Sequence, residues 1–476
     1  MRATLEQVLS AIDGASLVYA PGTDSGQALS RATEFTGVST DSRSAPAGSL
    51  FVALRGEVFD AHDFLSQVEA RGVAAVVVEQ LPDGWTLPAI VVPDTLVALG
   101  RIANWWRGQF ALPVIGVTGS NGKTTVKEMI ASILAAAYGE EGRLATRGNL
   151  NNEIGVPLTL FRLGAAHSAA VVELGMNHPG EIGRLSAIAE PTVALVNNAQ
   201  REHQEFMHTV EAVARENGAV LAALPPDGIA VFPQHDEFTP IWRELAGSRR
   251  VVSFGLSKEA DVSCTHRAGD FGNQMFITVR QPGSDEVLQF YVGLQAAGEH
   301  NVLNALAACA CAYAAGVGIE HIKLGLDTFT PVSGRLQKKA AANGAVVIDD
   351  TYNANPDSVR AAIDVLAQAG APRVLVLGDM GEVGTQGREF HEEIAAHAAA
   401  RGIERVLATG DLARHMLGAG SEGRVSHFEE FDALLSALDA AATPDATILI
   451  KGSRFMKMER VVQHLIGPQQ ANKETH

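Results

Sequence analysis

Apolar and polar positions fall into three zones along the chain. From Met1 to about Asp94, short β-rich stretches (SLFVAL, AAVVVE, AIVV) are broken by turns. From there to about Pro331, longer strands and helices alternate, and after PVSGR the alternation restarts cleanly. VVIDD precedes a helix from about Asp357 to Gln368, RVLVLGD precedes a helix over EFHEEIAAHAAA, and RVLATG and TILIKGS follow as further strands. Alternation with nearly continuous apolar strands predicts α/β architecture, with parallel sheets covered on both faces. Three domains are expected, over residues 1–94, 95–331 and 332–476. The first residues, MRATLEQVLSAIDG, read as a short amphipathic helix.

Composition narrows the function. A chain of 476 residues suits about three domains. Its net charge of −17 argues against non-specific binding to nucleic acid or anionic membranes, which requires a basic face to displace counterions. No run of apolar residues approaches the roughly 18 needed to span a bilayer. Cys264, Cys309 and Cys311 are odd in number and lack metal-ligand spacing, so neither a disulfide framework nor a zinc site is expected. The cytoplasm is the expected location.

The most informative stretch is GVTGSNGKTT, between the strand PVIGV and the pattern TTVKEMIASILAAAYG. In that pattern Val126, Met129, Ile130, Ile133 and Leu134 mark one helical face. A glycine-rich turn entering a helix aims backbone N–H groups at phosphate. Thr118, Gly119, Ser120, Asn121 and Gly122 form the turn, Lys123 reaches the β/γ-phosphates, Thr124 offers its hydroxyl to Mg²⁺, and Thr125 follows. The usual pattern places its first glycine where Val117 stands. ATP or a relative is the expected ligand.

Three later runs supply polar side chains. TRGNLNNEIGVPLTL concentrates Asn149, Asn151 and Asn152, whose carboxamides suit a substrate-orienting loop or simply an Asn-rich turn. Glu173 ends the probable strand AAVVELG, where a carboxylate can hold Mg²⁺ or remain a surface acid. His203, in VALVNNAQREHQEF, is a candidate second ligand or a structural histidine.

Together these runs resemble the ATP-dependent Mur ligases, which build the peptide of the bacterial cell-wall precursor. TGSNGKTT, GNLNNEIGVP, ELGMNHPGEI and GEHNVLNALAACA carry the likeness in the centre, and it extends over essentially the whole chain. It implies a small α/β UDP-sugar domain, a P-loop ATPase-like centre and a Rossmann-like C-terminal domain. By the same likeness His300, Asn301 and Asn304 lie near adenine, and Glu173 and His203 hold magnesium. Arg335 reaches the nucleotide when the third domain closes, Asp350 serves the ribose, and Tyr352 and Asn353 stand beside the base. Ser42 and Arg43, in VSTDSRSAPAGSLFVALRGEVFDAHDF, are the candidates for UDP-sugar contacts.

DDTYNANP, LGDMGEVG with His391 downstream, and KGSRFMKME match the family member that adds D-alanyl-D-alanine to UDP-N-acetylmuramoyl-tripeptide. Lys451 and Arg454 are then expected to serve the dipeptide or phosphate, or to be surface basic residues. The implied chemistry is ATP-driven amide formation through an acyl phosphate by a monomer. Two departures stand out. Asp60-Ala61-His62 replaces the usual Asp-Gly-His, and Asn217 occupies the place of a lysine that many members carbamylate to bridge magnesium. An amide forms no carbamate, so either Asn217 and water serve the second metal or that metal is held differently.

Overall fold

The computed structural model describes residues 1–18, 31–56, 58–202, 204–269, 271–281, 286–418 and 423–467. Near the N-terminus, strands Ser16–Val18, Ala89–Val91, Ala75–Val78, Leu50–Val52 and Val38–Ser39 form a five-stranded sheet in that spatial order. The first residues differ from the expected helix. Arg2–Thr4 is a strand paired antiparallel with Glu34–Thr36, and helix begins only at Leu5. Thr4 and Gln7 form a capping box there, and the helix Leu5–Leu9 buries Leu5 and Val8. Five residues make too short a helix to stand without that burial.

The central sheet has nine strands, seven of which run from Arg143–Ala145 at one edge, through Ala169–Glu173, Val114–Thr118, Val193–Val196, Ile229–Pro233 and Arg250–Gly255, to Val262–Gly269. These pair parallel, and the last continues antiparallel into Gly272–Arg280 and Val287–Leu294. Strand Val114–Thr118 lies between Ala169–Glu173 and Val193–Val196. The chain leaves it in one direction for Arg143–Ala145 and later returns to its other side. Such a switch in strand order opens a crevice beyond the carboxyl ends of the strands.

Both faces of this sheet are buried. Val114, Val172, Val196 and Phe232 join a core that continues through helix Thr95–Arg107 into the N-terminal sheet. Ile115, Val117, Val171 and Leu195 pack on the other side against helices Lys123–Tyr138 and Glu299–Ala314. The anticipated helical face is fully buried at Val126, Met129, Ile130, Ile133 and Leu134. Each such side chain contributes roughly 1.5–3 kcal/mol relative to exposure, so this face fixes the helix, and with it the loop at its N-terminus.

The C-terminal sheet has six strands, ordered Gln337–Ala340, Val346–Asp350, Thr447–Lys451, Arg373–Leu377, Arg405–Thr409 and Val425–Phe428. All but the first pair are parallel. Helices Pro356–Leu366 and Gly387–Ala400 cover one face, and Phe431–Ala441 and Glu459–Ile466 cover the other. The carboxyl ends of strands Val346–Asp350 and Thr447–Lys451 border the same cleft as the central switch point.

Candidate active site

The phosphate loop is braced by carboxamides. Gly122, at φ +80°, is the N-cap of helix Lys123–Tyr138. A Cβ there would lie 2.5 Å from Asn304 Oδ1 and 2.9 Å from Asn197 Nδ2, so glycine is required both for backbone conformation and for space. Asn197 donates to the Asn121 carbonyl (2.8 Å) and to Asn304 Oδ1 (2.9 Å). Asn304 in turn donates to Asn301 Oδ1 (3.0 Å), and Asn301 donates to the Ala297 carbonyl (2.8 Å). Asn198 grips Asn121 at both its backbone N–H (2.9 Å) and its carbonyl (3.0 Å). Asn197, Asn301 and Asn304 are all buried, so this chain of amides is satisfied internally and stiff. Lys123 Nζ donates to the carbonyls of Gly119 (2.5 Å) and Ser120 (3.1 Å) and lies 3.4 Å from Glu202.

Beside the loop, Glu173 stands at the carboxyl end of its strand with 2% exposure. Its Oε1 accepts from Thr124 Oγ1 (3.2 Å) and Asn151 Nδ2 (2.9 Å), while Oε2 is buried with no hydrogen-bond partner among the described residues. A buried carboxylate oxygen left without a donor is costly unless a cation meets it. One carboxylate and one hydroxyl next to a phosphate loop form a donor set that fits Mg²⁺, which takes few protein ligands and completes its shell with water and phosphate oxygens. Lys127 is wholly buried on the same helix and donates to the Thr146 carbonyl (2.9 Å), while Thr146 Oγ1 accepts from the Glu173 backbone N–H (3.0 Å).

Arg335 reaches in from the C-terminal side. Gly334 (φ +73°) and Leu336 (φ +51°) turn the chain sharply around it. Its Nη2 donates to Thr124 Oγ1 (2.8 Å), and its guanidinium lies over the Tyr352 ring at 4.1 Å from the centre. Asp350 anchors that turn by accepting from the Leu336 N–H (3.1 Å) through Oδ1, and its Oδ2 pairs with Lys451 Nζ (2.6 Å). Asn355 donates to Asn121 Oδ1 across the cleft (2.9 Å). The resulting cleft holds about 1100 Å³, with the phosphate loop on one side and Arg335, Tyr352 and Asn353 on the other. His300 lines it too, and burial pushes its pKa down to about 4, Asp350 opposing the shift and Lys451 adding to it. It is therefore a neutral imidazole at physiological pH.

Comparison with known proteins decides the family. Residues 117–312 match the Mur ligase middle domain, residues 334–454 the Mur ligase glutamate ligase domain, and residues 34–106 the Mur ligase family catalytic domain. A UDP-N-acetylmuramoyl-tripeptide–D-alanyl-D-alanine ligase of Escherichia coli (strain K12) is 40% identical over 431 residues, which is 90% of this chain and 93% of the relative. The chain belongs to the Mur ligase family. A crystal structure of MurF from Acinetobacter baumannii aligns with a TM-score of 0.88 at 36% identity, over 98% of this chain and 99% of that one. MurF ligase from Thermotoga maritima in complex with ADP aligns with a TM-score of 0.80 at 25% identity, over 92% of this chain and 98% of that one.

Within this Mur ligase the anticipated residues take different positions. Lys123, Thr124, Thr125, Glu173, Arg335, Asp350, Tyr352 and Asn353 border one cleft, as do Asn149, Asn151 and Asn152. Asn152 Oδ1 accepts from the N–H groups of Ile154 (3.2 Å) and Gly155 (2.8 Å), where the helix Gly155–Leu160 begins. Asn301 and Asn304 stand behind Gly122 as braces. Lys451 is 3% exposed and committed to Asp350 and the Asn353 carbonyl (2.9 Å), whereas Arg454 is exposed beside Glu459 (3.2 Å). His391 is fully buried, its Nε2 accepting from the Met380 N–H (3.2 Å), and so holds the loop carrying Gly381 and Val383 at the cleft. Ser42 and Arg43 lie in the N-terminal unit away from this cleft, with Arg43 paired to Asp41 (2.9 Å). His203 lies outside the described residues.

Asn217 is 1% exposed and turned toward the loop. Its Oδ1 accepts from the Gly119 N–H (3.0 Å), and its carbonyl accepts from Thr118 Oγ1 (3.1 Å). Sequence reading missed Asn197, Asn198, Lys127 and Arg201 as contributors to the site. A polar pair directly after a strand at the switch point, and a lysine on a helical face whose i+3 and i+4 neighbours are apolar, were the available signals.

Proposed function

We propose that this protein joins D-alanyl-D-alanine to UDP-N-acetylmuramoyl-tripeptide with conversion of ATP to ADP and phosphate, yielding the UDP-linked pentapeptide for peptidoglycan synthesis. The observation that carries this reading is Arg335 on Thr124. A guanidinium from one domain meets the phosphate loop of another, as a ligase that closes over ATP requires.

A carboxylate is a poor electrophile, so it must first be activated. An oxygen of the tripeptide's terminal carboxylate attacks the γ-phosphorus, the bond to ADP breaks, and an acyl phosphate forms. The amine nitrogen of the dipeptide then attacks the acyl carbon, phosphate leaves with the C–O electron pair, and the nitrogen loses a proton. Lys123 and Arg335 offset charge on the transferring phosphoryl group, while the backbone N–H groups of residues 122–124, at the start of the helix, orient it. Magnesium would be held by Glu173 and Thr124, with His203 as the further ligand, and supplies additional charge neutralisation. Closure of residues 332–476 over residues 95–331 excludes water from the acyl phosphate, and residues 1–94, with Ser42 and Arg43, take the UDP end of the acceptor.

The test is phosphate release by the purified protein given ATP, Mg²⁺ and UDP-N-acetylmuramoyl-tripeptide, with and without D-alanyl-D-alanine. Release that depends on the dipeptide, with a matching gain in product mass, is expected. Equal release without it would replace this reading with an uncoupled ATPase.

A further inference from the structure

Arg201 belongs to the segment that follows strand Val193–Val196, just beyond Asn197 and Asn198, which brace the phosphate loop. Its guanidinium is used on both edges. Nε and Nη2 donate to Asp357 Oδ1 (3.1 and 2.6 Å), while Nη1 and Nη2 donate to Glu393 Oε2 and Oε1 (2.7 and 3.1 Å). The Arg201 backbone N–H adds a bond to Asp357 Oδ2 (2.9 Å), and the guanidinium lies 5.1 Å from the centre of the Phe390 ring. Asp357 is in the first turn of helix Pro356–Leu366, and Glu393 is on helix Gly387–Ala400. One central side chain therefore ties down both helices on one face of the C-terminal sheet. The neighbouring link runs from Asn355, the cap of the first of these helices, to Asn121.

We propose that Arg201 latches the C-terminal domain shut over the phosphate loop and is a positioning residue that keeps ATP cleavage coupled to amide formation. The proposal rests on the ligase reading above. Two paired carboxylates select arginine over lysine, because only the planar fork satisfies both at once. The three side chains are between 23% and 33% exposed, so the latch is strong enough to bias an orientation yet wet enough to release. Arg335 reaches Thr124 only when the domains are held this close, which couples the latch to the reacting phosphate without Arg201 touching it.

The experiment compares wild type, Arg201→Ala, Arg201→Lys and Asp357→Asn in the full chain. It measures phosphate released per amide formed, KM for D-alanyl-D-alanine and for ATP, and the radius of gyration by small-angle scattering with ADP and Mg²⁺. Loss of hydrogen bonds to charged groups predicts about a 10- to 100-fold rise in KM for the dipeptide in Arg201→Ala, with KM for ATP unchanged. Phosphate per amide should rise above the wild-type ratio, the particle should expand, and Arg201→Lys should fall between. Asp357→Asn should repeat these changes from the other side, and it serves alone if Arg201→Ala does not fold. An unchanged coupling ratio and unchanged scattering in the folded variants would overturn the latch. If wild type itself shows no dipeptide-dependent release, the ligase reading fails while the scattering still decides whether Arg201 holds the domains together.

Discussion

The two walls of the cleft are built from different chemistry. On the central side, neutral carboxamides of Asn197, Asn301 and Asn304 are buried and bonded to one another or to backbone, behind a loop whose glycine admits no side chain. On the facing side, charged groups do the work. Arg335 reaches across to Thr124, and Asp357 and Glu393 meet Arg201 of the central domain at partly exposed positions, while Lys451 holds Asp350 in a buried pair within the C-terminal sheet. A dry amide network has one arrangement and a high cost of leaving it, whereas hydrated ion pairs can part and re-form with little net change. The first wall holds a phosphate site ready, and the second can open to admit substrates and then close.

The sharpest way to break this contrast is Lys123→Ala. Removing the cation that serves the phosphoryl group should lower kcat by at least about 10³-fold, while thermal unfolding stays near wild type. Near-normal turnover would remove the phosphate loop from the mechanism. Arg335→Ala comes next, with an expected fall in kcat/KM of about 10- to 100-fold from loss of one charged hydrogen bond and its stacking. ATP affinity measured by calorimetry should change less than turnover, since the central wall stays intact; an equal loss in both would make the two walls a single rigid site.

Gly122→Ala probes the stiff wall itself. With φ +80° and Asn304 in the way, about 1–3 kcal/mol of stability should be lost, read as a lower melting temperature together with weaker ATP binding. A fully wild-type melt would mean that the amides are more yielding than their burial suggests. The pH response of His300 appears only on acidification. Its folded pKa, near 4, lies below the ordinary 6.5, so protons favour the unfolded chain. Its stability contribution is complete above about pH 6.5 and declines as pH falls toward 4. Wild type should therefore lose stability relative to His300→Gln across that window, and parallel melting curves would contradict the shift. The smallest expected effect is that of salt. Raising ionic strength toward 1 M shortens the Debye length to about 3 Å, which should expand the particle slightly in scattering while leaving nucleotide affinity almost unaltered.

Much of the architecture was legible because strand and helix periods are written in consecutive residues. VVIDD, RVLVLGD and the helix after Lys123 lie within a residue or two of their expected bounds. The N-terminal helix was read too long, since pairing of Arg2–Thr4 with Glu34–Thr36 is a contact at a distance in sequence. The same limit applies to the site. GKTT and Glu173 announce themselves by local context, but that Asn301 and Asn304 would stand behind Gly122 depends on how helix Glu299–Ala314 crosses the sheet. Lys451 in KGSR was expected to serve the dipeptide or phosphate, yet it pairs with Asp350, 101 residues away in sequence and on the adjacent strand.

By itself, the order of residues determined the α/β layering, the phosphate loop with its lysine and threonine, and enough motif to place the chain in its family. Each of these depends on periodicity or on neighbours within a few positions, where backbone geometry leaves little choice. Only the tertiary structure decided that Asn217 turns to Gly119, that Glu173 keeps one oxygen without a donor among the described residues, and that Arg201 spans two helices of another domain. Those outcomes depend on which strands are adjacent and how closely two domains approach, and no local pattern of residues encodes a distance across space.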